Sequence, residues 1–253
     1  MDIERFRPFF LLYGYSPVEY SYELFSATHL GILCVLAVMV AGICLAYKKL
    51  ETRKRVVMLR VMAVALLLQE AFRQFSIFLF YYERWRYYVA LPLHLCTLMI
   101  FVGLVHAFVK NKYTGEILYG LGLPGFFAAL LFPDWVMLPV VNFYALNSYL
   151  SHSLQIAFVF MLMYAGELRP NPKNMRYNFW FISLIAPIIY VINIQTRRNY
   201  LYINFGLPNS PIEILTDTFG NPGFLIPYAL VVAAVVAIFY VPFIILNKKG
   251  MSL

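Results

Sequence analysis

Seven apolar stretches recur along the chain at lengths that match a bilayer, near residues 27–47, 56–81, 91–109, 117–132, 143–165, 178–195 and 223–246. A helix needs about 20 residues to cross the hydrocarbon core, where each backbone amide must find its partner within the protein. The pattern predicts an all-α, polytopic membrane helix bundle of about seven transmembrane helices. Residues 1–25 mix acids with aromatics and lack the basic start and small-residue cleavage site of a signal peptide, so they read as an outer interfacial segment preceding a transmembrane domain over 26–253. Composition points the same way, with 62% apolar and 13% charged residues and a mean hydropathy of +0.72.

Charge sets an orientation, because short cytoplasmic connections are enriched in Lys and Arg. With the N-terminus outside, the inner connections hold Lys48, Lys49, Arg53, Lys54, Arg55, Lys110, Lys112, Arg169, Lys173, Arg176, Lys248 and Lys249. The outer ones hold Arg5, Arg7, Arg84, Arg86, Arg197 and Arg198, together with most of the acids. The C-terminus is therefore expected in the cytoplasm. The net charge of +8 reads as a topological signal and a match to anionic lipid, with no nucleic-acid partner expected.

Three cysteines cannot build a disulfide framework, and Cys34 and Cys44 lie about 15 Å apart along one helix. They are expected to be buried thiols. Gly120, Gly122 and Gly125 match GxGxxG but follow no strand and lie in an apolar span, so the match is coincidental; Gly125 and Ala129 read instead as a close helix-packing surface. Neither metal-ligand spacing nor a cofactor motif is present, and neither metal nor cofactor is expected.

Ionisable groups inside a membrane usually face a protein interior and mark function. Pro92 reads as the first residue of the third helix, which places His94 and Cys96 in its first turns, with Cys96 roughly 6 Å in at 1.5 Å per residue. Unpaired N–H groups there favour a thiolate, at a depth where phospholipid ester carbonyls lie. Residues i and i+2 point to different sides of a helix, so the base for Cys96 should come from elsewhere. Ser148, Ser151, His152 and Gln155 form a polar stripe at helical spacing, and His152 is the candidate base. Glu70, Arg73 and Gln74 form a similar face, in which Glu70 and Arg73 can neutralise each other as an i, i+3 pair. His94, Glu70, Arg73, Asp134, Ser148, Gln155 and Asn193 are candidate supporting or substrate-binding residues. His29 and His106 are expected to be structural, and Tyr81, Tyr82, Trp85, Tyr87 and Tyr88 to form an interfacial aromatic belt.

The run Leu91-Pro92-Leu93-His94-Leu95-Cys96, then Tyr119-Gly120-Leu121-Gly122 leading to Ala128-Ala129-Leu130-Leu131-Phe132-Pro133-Asp134, then His152 in a polar-faced helix and Asn199-Tyr200-Leu201-Tyr202, resembles the YwaF and transmembrane protein 164 family over roughly 91–245. The resemblance implies an integral membrane acyltransferase that moves a fatty acyl chain between glycerophospholipids without acyl-CoA. Its nucleophile is the cysteine of the HLC motif and its base a histidine on a later helix, here Cys96 and His152. The same bundle is thought to be shared with the androgen-induced lipid hydrolases, which extends the expectation to lipid ester hydrolysis. Asn199 enters as a site residue through this motif. The implied partners are membrane phospholipids, and the implied location is a bacterial cell membrane crossed several times. The segment Gly122-Leu123-Pro124-Gly125 carries more proline than the family pattern leads one to expect. A non-enzymatic lipid-binding or transport protein, using the same polar residues, is the alternative.

Overall fold

Each apolar run becomes a helix, and the polar residues at its ends decide where it starts and stops. A computed structural model describes residues 9–12, 21–82, 91–206 and 210–248. Among them the order is α1 (Ala27–Lys49), α2 (Thr52–Phe80), α3 (Leu95–Phe108), α4 (Lys112–Ile117), a π-helical turn (Leu118–Gly122), α5 (Leu123–Leu131), a 3-10 turn (Asp134–Met137), α6 (Phe143–Tyr164), a 3-10 turn (Pro172–Asn174), α7 (Arg176–Thr196), a 3-10 turn (Tyr200–Tyr202), α8 (Pro211–Phe219) and α9 (Leu225–Lys248), with no strand.

Four stretches are long and apolar enough to cross a membrane: Ala27–Lys49, Lys112–Met137, Pro172–Thr196 and Leu225–Leu246. The other three expected spans are also helical. α2 has 29 residues and α6 has 22, ample length, but the charges of α2 and the polar stripe of α6 lower their hydropathy. α3 is apolar throughout yet has only 14 residues.

Several boundaries differ from expectation for local reasons. The third helix starts at Leu95 rather than Pro92, because Leu93 N–H closes a tight turn on Leu91 C=O (2.8 Å) and His94 becomes the N-cap residue. The fourth helical run starts earlier than 117, at Lys112, where the Asn111 side chain accepts from Thr114 N–H (2.9 Å) and caps it. Within the 196–222 connection lies α8. Cys34 is exposed on α1 rather than buried, while Cys44 is buried as expected. Of the expected aromatic belt, Trp85, Tyr87 and Tyr88 fall outside the described residues.

The chain groups into two units that interleave in sequence. One takes Met1–Ala90 and Phe126–Ala165, the other Leu91–Gly125 and Gly166–Leu253. In the first, α1 and α2 both pack on α6. Ser26 caps α1 by accepting from His29 N–H (3.4 Å). The α1–α2 turn is closed by Arg55, whose guanidinium donates to the Lys48 carbonyl (2.6 Å), one of the helix-end carbonyls that otherwise lack a donor. His29 is fully buried and saturated: it accepts from Phe25 N–H on Nδ1 (3.0 Å), so its Nε2–H donates to the Leu130 carbonyl (2.9 Å). That is the structural role expected of it. Gly166 ends α6 with φ +74°, the left-handed position after a helix that glycine fills without strain.

In the second unit α4 packs on α3 and α7, and α9 packs on the π-helical turn. The turn widens the helix beside Gly120, where an added Cβ would lie 2.4–2.6 Å from the Asn178 amide. Only glycine lets Asn178 approach that backbone. Asn178 then donates to the Tyr240 hydroxyl (3.2 Å), and Tyr240 donates to Glu116 (2.6 Å). Glu116 is 3% exposed, and its carboxylate also accepts from Asn171 N–H (2.9 Å) and Asn174 Nδ2 (3.1 Å). The buried carboxylate thus holds the 171–174 turn by two donors and α9 by a third.

Candidate functional site

His152 sits on the polar stripe of α6, and its ring is oriented from two sides. Nδ1 lies 2.6 Å from the Ser148 carbonyl oxygen. A carbonyl can only accept, so the neutral ring carries its proton on Nδ1 and keeps a lone pair on Nε2. Nε2 has no hydrogen-bond partner among the described residues. The ring face stacks on Trp135, with centroids 5.3 Å apart and planes at 19°. Trp135 in turn meets Tyr149 edge-on (5.3 Å), and the Tyr149 hydroxyl bonds that of Tyr22. A stacked ring with one nitrogen engaged holds a defined direction, as a proton acceptor requires.

On α2, which packs on α6, Glu70 and Arg73 form a two-bonded pair: Arg73 Nε donates to one Glu70 oxygen (2.8 Å) and Nη2 to the other (2.7 Å). Gln74 adds a donor to Glu70 (2.8 Å). The i, i+3 pair anticipated from spacing therefore forms. Asp134 is the exposed first residue of the 3-10 turn that carries Trp135. Farther along α6, Gln155 donates weakly to Ser151 Oγ (3.3 Å), and its buried Oε1 has no partner.

In the second unit, Cys96 is half-buried and is the second residue of α3, among the first N–H groups of that helix. It is therefore closer to the helix start than the Pro92 reading implied. His94 is the N-cap residue of α3, and its ring lies against Tyr200 (5.3 Å) and Tyr202 (5.4 Å). The Tyr200 hydroxyl accepts from Leu91 N–H (3.0 Å). Two motifs a hundred residues apart, Leu91–Cys96 and Asn199–Tyr202, are thus one assembly.

Asn193 is what holds it. Its Nδ2 donates to the Tyr200 carbonyl and its Oδ1 accepts from Tyr200 N–H, both at 2.9 Å. The bracket fixes a loop in which Leu201 and Tyr202 have φ of 58° and 54°, left-handed values that cost a side-chain-bearing residue roughly 1–2 kcal/mol each. Asn199 orders the next stretch, accepting from Asn204 N–H and Phe205 N–H and donating to the Phe205 carbonyl (2.7 Å). Asn193 and Asn199 spend these hydrogen bonds on the loop itself.

The expected nucleophile and base belong to different units, Cys96 to the second and His152 to the first. Sequence reasoning missed Trp135, and nothing in its neighbourhood signals which helix it covers. Tyr200 and Tyr202 were visible only as part of a motif. Among the described residues, no three of His, Cys, Asp and Glu come together as a metal-ligand set.

The sequence model of the TMEM164 family matches residues 24–245. No curated protein and no solved structure matches the chain.

Proposed function

The chain belongs to the TMEM164 family, and from that premise we propose that it is an integral membrane acyltransferase that moves a fatty acyl chain from one glycerophospholipid to another. In this reading Cys96 is the nucleophile and His152 the base. His152 Nε2 takes the thiol proton as sulfur attacks the ester carbonyl. The tetrahedral adduct collapses with loss of the glycerol oxygen, which takes that proton and leaves as a lysolipid. An acceptor lysolipid hydroxyl then gives its proton to Nε2, attacks the thioester and releases the Cys96 thiol. Water in place of the acceptor would make the same route a hydrolysis.

The single observation that supports the reading best is the state of His152: proton on Nδ1, bonded to Ser148, ring stacked on Trp135, and Nε2 without a partner among the described residues. Cys96 at the start of α3 adds the helix-end environment that stabilises a thiolate. The proposal takes all seven apolar stretches of the sequence as spans, with the N-terminus outside, the C-terminus cytoplasmic and a bacterial cell membrane as the setting.

Acyl loading tests it. In nanodiscs with phospholipid carrying a labelled acyl chain, wild type should gain hydroxylamine-sensitive label, and Cys96→Ser should gain none. His152→Ala should load slower by about 10²- to 10⁴-fold, the usual worth of a general base. Absence of label in wild type, with no fatty acid or lysolipid released and lipid binding intact, would replace the enzyme reading with lipid binding or transport.

A further inference from the structure

Lys112 opens α4 and Arg176 opens α7, two helices that pack together and set both cations beside one pair of rings, Tyr113 and Tyr177. Tyr177 is buried, while both cations are exposed. Aromatic rings complete the cluster. Tyr113 meets Tyr177 edge-on at 4.7 Å, Lys112 lies 5.2 Å from the Tyr113 ring, and Arg176 lies 5.5 Å from Tyr177 and 5.7 Å from Trp180. Cations held over ring faces keep a fixed direction.

No carboxylate compensates them. Among the described residues neither Lys112 nor Arg176 forms an ion pair, and the two acids on nearby segments are occupied, Glu167 by Lys110 and Glu116 by its three donors. Two such cations beside one pair of aromatic rings leave a positive site in need of an anion.

What lies along the helix from Arg176 narrows the choice of anion. Trp180, Leu184 and Ile188 follow at intervals of four, on the same face of α7, and are 64%, 71% and 58% exposed. Val191 extends the stripe. An exposed tryptophan one turn from a cation, above an exposed aliphatic stripe, has the order of a bilayer read from headgroup to hydrocarbon. A ligand with an anionic head and an apolar chain fits both parts.

We propose that Lys112 and Arg176 bind the phosphate of an anionic phospholipid whose acyl chain lies along Trp180, Leu184 and Ile188. The site is independent of acyl transfer, since Cys96 and His152 take no part in it. Arg176 and Lys112 supply charge and donors to phosphate oxygens, and the stripe supplies apolar contact.

Native mass spectrometry of the full chain, titrated in detergent with phosphatidylglycerol or phosphatidylcholine, reads the affinity of the first bound lipid. Wild type should prefer phosphatidylglycerol. Lys112→Gln and Arg176→Gln should each cut that preference by about fivefold, the worth of one basic residue near an anionic headgroup, and the double variant should abolish it. Lys112→Arg with Arg176→Lys should keep it, and Arg169→Gln with Lys173→Gln, which removes equal charge from the neighbouring segment, should leave it intact. An unchanged preference in the Lys112→Gln, Arg176→Gln variant would overturn the site. So would an equal loss in the Arg169→Gln, Lys173→Gln variant, because the attraction would then be diffuse. Competition by inorganic phosphate that removes bound phosphatidylglycerol without regard to its chain would assign the cluster to a soluble anion instead.

Discussion

Two buried glutamates solve the same problem in opposite ways. Glu70, on α2 of the first unit, is neutralised by a cation three residues along its own helix, with a glutamine one residue further. Glu116, in the second unit, pairs with no cation among the described residues; its donors are a backbone N–H, an asparagine amide and a tyrosine hydroxyl that lie 55, 58 and 124 residues away. A carboxylate taken from water without compensation costs several kcal/mol, so each must be satisfied. The local solution forms whenever the helix forms. The remote one exists only when the 171–174 turn, α9 and α4 have all arrived, which makes Glu116 a report on completed tertiary structure.

The largest test of that contrast is Glu116→Ala. It strands three donors in the interior and should destabilise the second unit by about 3–5 kcal/mol. Thermal unfolding in detergent would measure the loss, and amide exchange over residues 171–174 should accelerate because the turn loses its anchor. A change no larger than that of Glu70→Ala would break the comparison.

Gly120→Ala comes next. The new methyl must displace the Asn178 amide, which supports Tyr240 and through it Glu116, so a loss of about 1–3 kcal/mol is expected. If Asn178→Ala in the Gly120→Ala background recovers no stability, the clash is not the cause.

The smallest effect sharpens the local side. Glu70→Gln with Arg73→Gln removes both charges at once and leaves groups able to bond each other, so stability should change by less than about 1 kcal/mol. Glu70→Gln alone leaves Arg73 uncompensated and should cost more than the double variant. Comparable unfolding midpoints for the single and double variants would show that the pair carries no coupling.

Legibility in the sequence follows the same division between near and far. The Ser26 and Asn111 caps went unread, so α4 begins earlier than expected, but helices otherwise read well, because apolar runs and the polar stripe around His152 are local. The Glu70–Arg73 pair is legible for that reason. Glu116 is not, since a lone acid four residues after Lys112 carries no sign of Tyr240. The start of α3 was misplaced because Pro92 is a good first helical residue in isolation, and it took the Leu91–Leu93 turn, held by Tyr200, to move the cap to His94. Trp135 went unnoticed since its stacking on His152 depends on how a 3-10 turn returns to α6. α2 and α6 read as spans from length, although their polar faces keep them below the hydropathy of the four clearest ones.

The interleaving of the two units bears on how the protein is made. Ribosomal synthesis delivers α1 and α2, then the start of the second unit, and only afterwards α6, on which α1 and α2 pack. During that interval Glu70 already has its neutralising cation, while Glu116 has emerged without any of its three donors. Biogenesis therefore exposes the second unit to its greatest risk between the synthesis of α4 and that of α9, and a membrane insertase or chaperone that shelters one nascent segment of this chain would be most useful there.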